Sequence, residues 1–114
     1  MIEQTDYRII SMMIEKANRI IEIYSKNGRD RIQNEYILSD ALQFEFEKMY
    51  EDSTRLSVEF RLNHPWLHID KLRGIRNRVA HNYESVSLSI LLDTAENDIP
   101  ILKQLLEKAL NEKE

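Results

Sequence analysis

The chain lacks cysteine altogether, has only two glycines and two prolines, and contains no long apolar run. Without cysteine there is no disulfide framework, no thiolate zinc site and no cysteine nucleophile. That fits a reducing compartment, and a cytoplasmic location is expected. Four glycines and prolines in 114 residues fall far below the roughly 12% usual for the two together. A sheet protein needs many tight turns, so the scarcity points to a few long helices. With Gly28 and Gly74 alone, glycine-rich phosphate loops are excluded, and with them the P-loop and dinucleotide-binding classes. No stretch approaches the ~20 apolar residues needed to span a bilayer. Met1-Ile2-Glu3-Gln4-Thr5-Asp6 has no basic start leading into an apolar run, so no signal peptide is expected.

What remains is an ordinary soluble composition, 42% apolar and 32% charged. The 114 residues suit one domain spanning the chain, with core enough to need no staple. The net charge of −4 argues against broad nucleic-acid binding, but its distribution is uneven. Between Arg61 and Arg78 there are five basic residues and one acid, Asp70, which gives 5 − 1 = +4 and leaves −8 elsewhere. A basic patch on an acidic body suggests one anionic ligand handled at one place; a solvated basic helix face is the plainer reading.

Apolar periodicity predicts four main helices in an antiparallel bundle with short extra helical turns. The first runs from about Thr5 to Lys26 on Ile10, Met13, Ile14, Ala17, Ile20, Ile21 and Tyr24, and Asn27-Gly28 stops it. Residues 29–37 form a polar connection with room for one helical turn. The second helix runs from about Leu38 to Leu62 with two stripes on opposite sides. Leu42, Phe46, Met49, Ser53, Leu56 and Phe60 form one; Phe44, Glu51, Val58 and Leu62 form the other. The second stripe needs either another copy of the chain or a covering helix. Asn63-His64-Pro65 breaks the helix, and Trp66-Leu67 makes an apolar plug. A third helix spans about Ile69 to Asn82, followed by a loop from Tyr83 to Val86 with Ser85 or Ser87 as cap. The last spans Leu88 to Lys113, with Pro100 either kinking it or following a cap at Asn97 or Asp98.

The chemistry lies between Lys71 and Tyr83. On a helical wheel Leu72, Ile75, Val79 and Tyr83 share an apolar face, and Arg76 falls among them. A partly desolvated guanidinium cannot deprotonate and needs a carboxylate or phosphate. Glu51, mid-stripe, has the matching need, and a Glu51–Arg76 pair would meet both. Gly74, Asn77 and His81 lie about 140° away. Gly74 weakens a helix and is useful where a backbone or ligand comes close. Arg76 and His81 converge if the helix ends near His81 or if two such helices cross at a two-fold axis. A histidine can take a proton from a ribose 2′-hydroxyl or give one to a leaving 5′-oxygen. An arginine can hold the scissile phosphate, with Asn77 and Tyr83 as helpers. These are parts of a metal-independent ribonuclease; on spacing alone, each residue has an ordinary structural reading too.

Arg76-Asn77-Arg78-Val79-Ala80-His81-Asn82-Tyr83 resembles the Arg-x-x-x-x-His-x-Tyr signature of the HepT-like toxins of the HEPN superfamily. Gly74-Ile75-Arg76-Asn77 is similar to the family's Gly-Met-Arg-Asn, and Trp66-Leu67-His68-Ile69 to its Trp-x-x-Ile. Asp98-Ile99-Pro100-Ile101-Leu102 is similar to its Asp-Leu-Pro-x-Leu. Met49-Tyr50-Glu51-Asp52 stands where Ile-Gly-Glu-Ala is common, keeping only the glutamate. The resemblance implies an all-α HEPN-like homodimer in which the two motifs share a cleft. It implies an RNase toxin of a type VII toxin–antitoxin system acting on tRNA or mRNA, without cofactor, metal or membrane. By position, Arg76 and His81 become the catalytic pair, with Asn77 and Glu51 in support. Arg73, Arg78 and Lys71 are expected on the RNA backbone. The partner implied is an MntA-type minimal nucleotidyltransferase that transfers AMP to Tyr83. That would place bulk and negative charge in a phosphate-binding cleft. Two other readings stay open: a non-catalytic helical subunit of a nucleotidyltransferase, and a bundle in which Arg76 is purely structural.

Overall fold

A computed structural model describes residues 4–80 and 84–112, and the chain is all-α. Its helices are α1 (Gln4–Asn34), α2 (Tyr36–Ser53), α3 (Val58–Asn63), α4 (Ile69–Ala80), α5 (Glu84–Asp93) and α6 (Ile99–Asn111). A 3₁₀ turn, Pro65–Leu67, leads into α4, and a π turn, Thr94–Asp98, joins α5 to α6. None of the described helices is long and apolar enough to cross a membrane.

The expected stop at Asn27-Gly28 is a kink. Gly28 takes φ 80° and ψ 164°, a conformation open essentially to glycine alone. Helix resumes at once, and the expected polar connection instead carries Ile32, which is fully buried. Glu35 then breaks the helix with extended backbone. Arg31 Nε donates to Glu35 Oε2 at 2.8 Å, and this bond holds the Glu35 carboxyl below its ordinary value.

The chain turns back at Glu35, so α1 and α2 run antiparallel. Arg19 meets Glu45, Lys16 meets Asp52 and Asp6 meets Ser57, one sequence position falling as the other rises. Lys16 Nζ lies 2.8 Å from Asp52 Oδ2 in an ion pair almost closed to solvent, angled away from an ideal hydrogen bond. Arg55 donates to Asp52 Oδ1, also at 2.8 Å.

The expected single helix from Leu38 to Leu62 is broken between Ser53 and Val58. The buried Asp6 carboxylate accepts from the Ser57 amide and from its hydroxyl, both at 2.8 Å. The same hydroxyl accepts from Phe60 N at 3.0 Å and caps α3. A contact between positions 51 residues apart thus ends one helix and starts the next. The stripe from Leu42 to Phe60 is nevertheless entirely buried. The opposite stripe stays on the surface: Phe44, Val58 and Leu62 are 57%, 63% and 74% exposed. No helix of the described residues covers it.

His64 closes this end of the bundle. It is buried, stacked on Phe60 at 4.0 Å, and its Nε2 is 2.7 Å from Glu112 Oε2. Beyond the 3₁₀ turn, where Leu67 is buried, His68 adopts left-handed φ 54° and α4 begins.

The last part of the chain departs from expectation at two points. The described part of α5 starts at Glu84, inside the expected loop, so Ser85 and Ser87 lie within that helix. Ser87 Oγ donates to Val79 O at 2.6 Å and ties α5 to α4. At Pro100 neither a plain kink nor a side-chain cap is found. Ile99 N bonds to Thr94 O five residues back, the mark of a π turn, and Asp98 makes no capping bond. Pro100 has no N–H to donate into a regular helix, and the wide turn accommodates that loss. The apolar positions Leu92, Ala95, Ile99, Leu102, Leu106 and Ala109 are buried as predicted. Asn82 and Lys113, the expected ends of the third and fourth helices, lie outside the described residues.

Candidate functional site

Helix α4 carries the site because its spacing divides it into faces. Leu72, Ile75 and Val79 recur at three- and four-residue steps and are buried, which fixes the helix on the bundle. Gly74 and Asn77 then face outward and are exposed. Arg76 sits at the boundary on the side of α2.

The Arg76 side chain is 43% exposed. Its Nε is buried without a hydrogen-bond partner among the described residues. The guanidinium carbon stands 5.5 Å from the centre of the Tyr50 ring, a cation–π contact. Its nearest carboxylate oxygen is Glu47 Oε2, 3.8 Å from Nε, within ion-pair range but too long for a hydrogen bond. The expected Glu51–Arg76 pair is not formed. Glu51 is exposed on the stripe of Phe44 and Val58, and Glu47, one turn earlier, takes its place. Two glutamates one turn apart lie nearly above one another on a wheel, so periodicity does not choose between them. The signal for Glu47 was Asp40, Gln43 and Glu47 at three- and four-residue steps, one polar row facing α4.

Arg76 opens into a cleft of about 330 Å³ between α2, α4 and α5. Asp40, Gln43 and Glu47 form one wall, Val79 the floor, and Ser87, Leu88 and Leu91 the other wall. A guanidinium held loosely by one carboxylate, with an unsatisfied N–H, can take a phosphate in its place.

The basic stretch is not a single patch. Arg73 lies about 60° from Arg76 around α4, on the same side. Lys71 and Arg78 lie on the opposite flank, where Lys71 Nζ is 3.5 Å from Asp98 Oδ1. Arg73 and Arg78 are exposed. His81 and Tyr83 lie outside the described residues, as does Asn82.

No close approach occurs at Gly74 among the described residues. A Cβ there would meet nothing within 4 Å, and the backbone is helical. Gly74→Ala should therefore stabilise the isolated fold by about 0.5–1 kcal/mol. Thermal unfolding checks this; a lower midpoint would show that something presses on this face.

The all-α bundle is consistent with a HEPN-like fold. The family model for HepT-like ribonucleases matches residues 13–109, and the chain belongs to that family. No solved structure gives a significant match.

Proposed function

We propose that this chain is a metal-independent endoribonuclease toxin, built as one domain over residues 1–114, working as a homodimer in the cytoplasm. The observation that carries the reading is Arg76: half-exposed, loosely paired and facing an open cleft. In this reading Arg76 holds the scissile phosphodiester and offsets charge growing on its oxygens. His81 takes the proton of the ribose 2′-hydroxyl. The 2′-oxygen attacks phosphorus, the bond to the 5′-oxygen breaks, and that oxygen leaves with a proton from the second copy's histidine. The products are a 2′,3′-cyclic phosphate and a 5′-hydroxyl. DNA lacks the nucleophile and is spared. Asn77, exposed on the outward face of α4, helps orient the phosphate, while Lys71, Arg73 and Arg78 contact the RNA backbone.

Exposed apolar side chains support the homodimer, since Phe44 of α2 and Val58 and Leu62 of α3 leave apolar area in water. Glu51 belongs to the stripe of these residues, so its supporting role is at the second copy and not at Arg76 of its own chain. The partner is an MntA-type nucleotidyltransferase, and AMP on Tyr83 would switch the toxin off by putting an anion where RNA phosphate belongs.

The experiment is digestion of total RNA, including tRNA, by wild type beside His81→Ala, both checked by circular dichroism. Wild type alone should cut, leaving 2′,3′-cyclic or 3′-phosphate ends, and EDTA should not slow it. A 3′-hydroxyl end would sink the mechanism. No cutting by a wild type whose Tyr83 is free of AMP would sink the nuclease.

A further inference from the structure

A second cavity, with two arginines in its lining, opens beside the first. Tyr50 separates the two: Arg76 lies against its ring, and Tyr50 also lines a hollow of about 140 Å³ between the end of α2, α3 and the start of α4. Arg61 of α3 and Arg73 of α4 both line this hollow. Neither has a carboxylate within ion-pair distance among the described residues. Arg61 Nε is buried and makes no hydrogen bond there. An unsatisfied guanidinium N–H in a hollow is costly unless a ligand meets it.

The rest of the lining narrows the ligand. The Ser53 and Thr54 hydroxyls are committed to Tyr50 O and Glu51 O, which leaves the two guanidinium groups as the charged donors. Asp70 stands on the rim in the first turn of α4, where the helix dipole offsets its charge. Two arginines against one carboxylate suit a singly charged anion better than a doubly charged one. A phosphodiester within a strand carries one charge; a terminal phosphate carries nearly two. Arg73 and Arg76 are three residues apart on one helix, so their side chains are neighbours. A strand held at Arg76 would pass the hollow within a nucleotide or so.

We infer that Arg61 and Arg73 form a phosphodiester subsite next to the cleft, holding a strand phosphate adjacent to the one at Arg76. The inference rests on the ribonuclease reading for the identity of the strand, but its test does not depend on cleavage. A single-stranded oligoribonucleotide is titrated by fluorescence anisotropy against the His81→Ala protein over a range of salt. Adding Arg61→Gln should weaken binding roughly tenfold. It should also reduce the slope of log affinity against log salt by about 0.7, one phosphate on a single strand. Arg73→Gln, on the surface of α4 and safe for folding, should do the same. Replacing strand phosphates one at a time with uncharged methylphosphonates should then reveal one position that weakens binding to the parent protein. At that same position both glutamine variants should be indifferent.

Unchanged affinity and slope in either folded variant would overturn the subsite, as would sensitivity to different phosphates. If Arg61→Gln does not fold, the methylphosphonate scan with Arg73→Gln decides alone. A wild type that cuts RNA but lacks this signature refutes the subsite and leaves the nuclease. A protein with the signature that never cuts does the reverse, and one that binds no RNA refutes both.

Discussion

Arg76→Ala is expected to lower RNA cleavage by a factor on the order of 10²–10³ or more while leaving the fold intact. The size follows from removing a positioned charge from a developing phosphorane, the kind of loss seen when one stabilising donor is deleted. The stability side follows from the geometry. A side chain 43% exposed, with its nearest carboxylate oxygen at 3.8 Å, belongs with surface pairs, whose contribution is about 0–1 kcal/mol. The melting midpoint should move by a few degrees at most. Arg76→Lys should not restore the rate, because an ammonium lacks the planar fork that grips two phosphate oxygens. Time courses on labelled RNA beside melting curves test both halves. A collapse in melting temperature would mean Arg76 is a structural group, and an unchanged rate would remove it from the chemistry.

Asp52→Ala is expected to be the most damaging change away from the cleft. Its carboxylate is 5% exposed and lies between Lys16 and Arg55, each at 2.8 Å. Arg55 reaches water and loses little. Lys16, only 14% exposed, would keep a charge with no counterion. Breaking a buried pair from one side costs about 3–5 kcal/mol, set against total stabilities of about 5–15 kcal/mol. The midpoint should fall by at least about 10 °C. Replacing both partners, Lys16→Met with Asp52→Leu, should recover much of the loss, since no stranded charge remains. Chemical denaturation of the wild type and the two variants gives the answer. A double mutant no better than Asp52→Ala would show that the charges are not coupled.

The difference between what could be read from the residues and what could not is one of range. Periodicity identified the buried stripe from Leu42 to Phe60 and the buried face of α4, because burial repeats locally every three or four residues. It also separated Phe44, Val58 and Leu62 as a distinct face, though not whether a helix covers it. It missed the break before Val58, since the cause is Asp6, far away in sequence. It chose Glu51 over Glu47 because residues one turn apart share nearly one direction, and only the packing of α4 on α2 decides between them. Arg61 looked like one more charge in a basic run. Its meaning depends on α3 and α4 meeting, and no wheel of a single helix contains that.

The π turn at Thr94–Asp98 has a mechanical consequence. A regular helix is a rigid spline: seat one end and the direction of every side chain along it is settled. Were α5 and α6 one such rod, the fit of Leu102 and Leu106 into the core would dictate which side chains of α5 overlook Arg76. One residue taken up in the wide turn resets that phase by about 100°. Ser87, Leu88 and Leu91 can then be aimed at the cleft while α6 keeps its own seat. Gain or loss of a single residue within the turn would thereby change which side chains of α5 face the cleft while α6 keeps its packing.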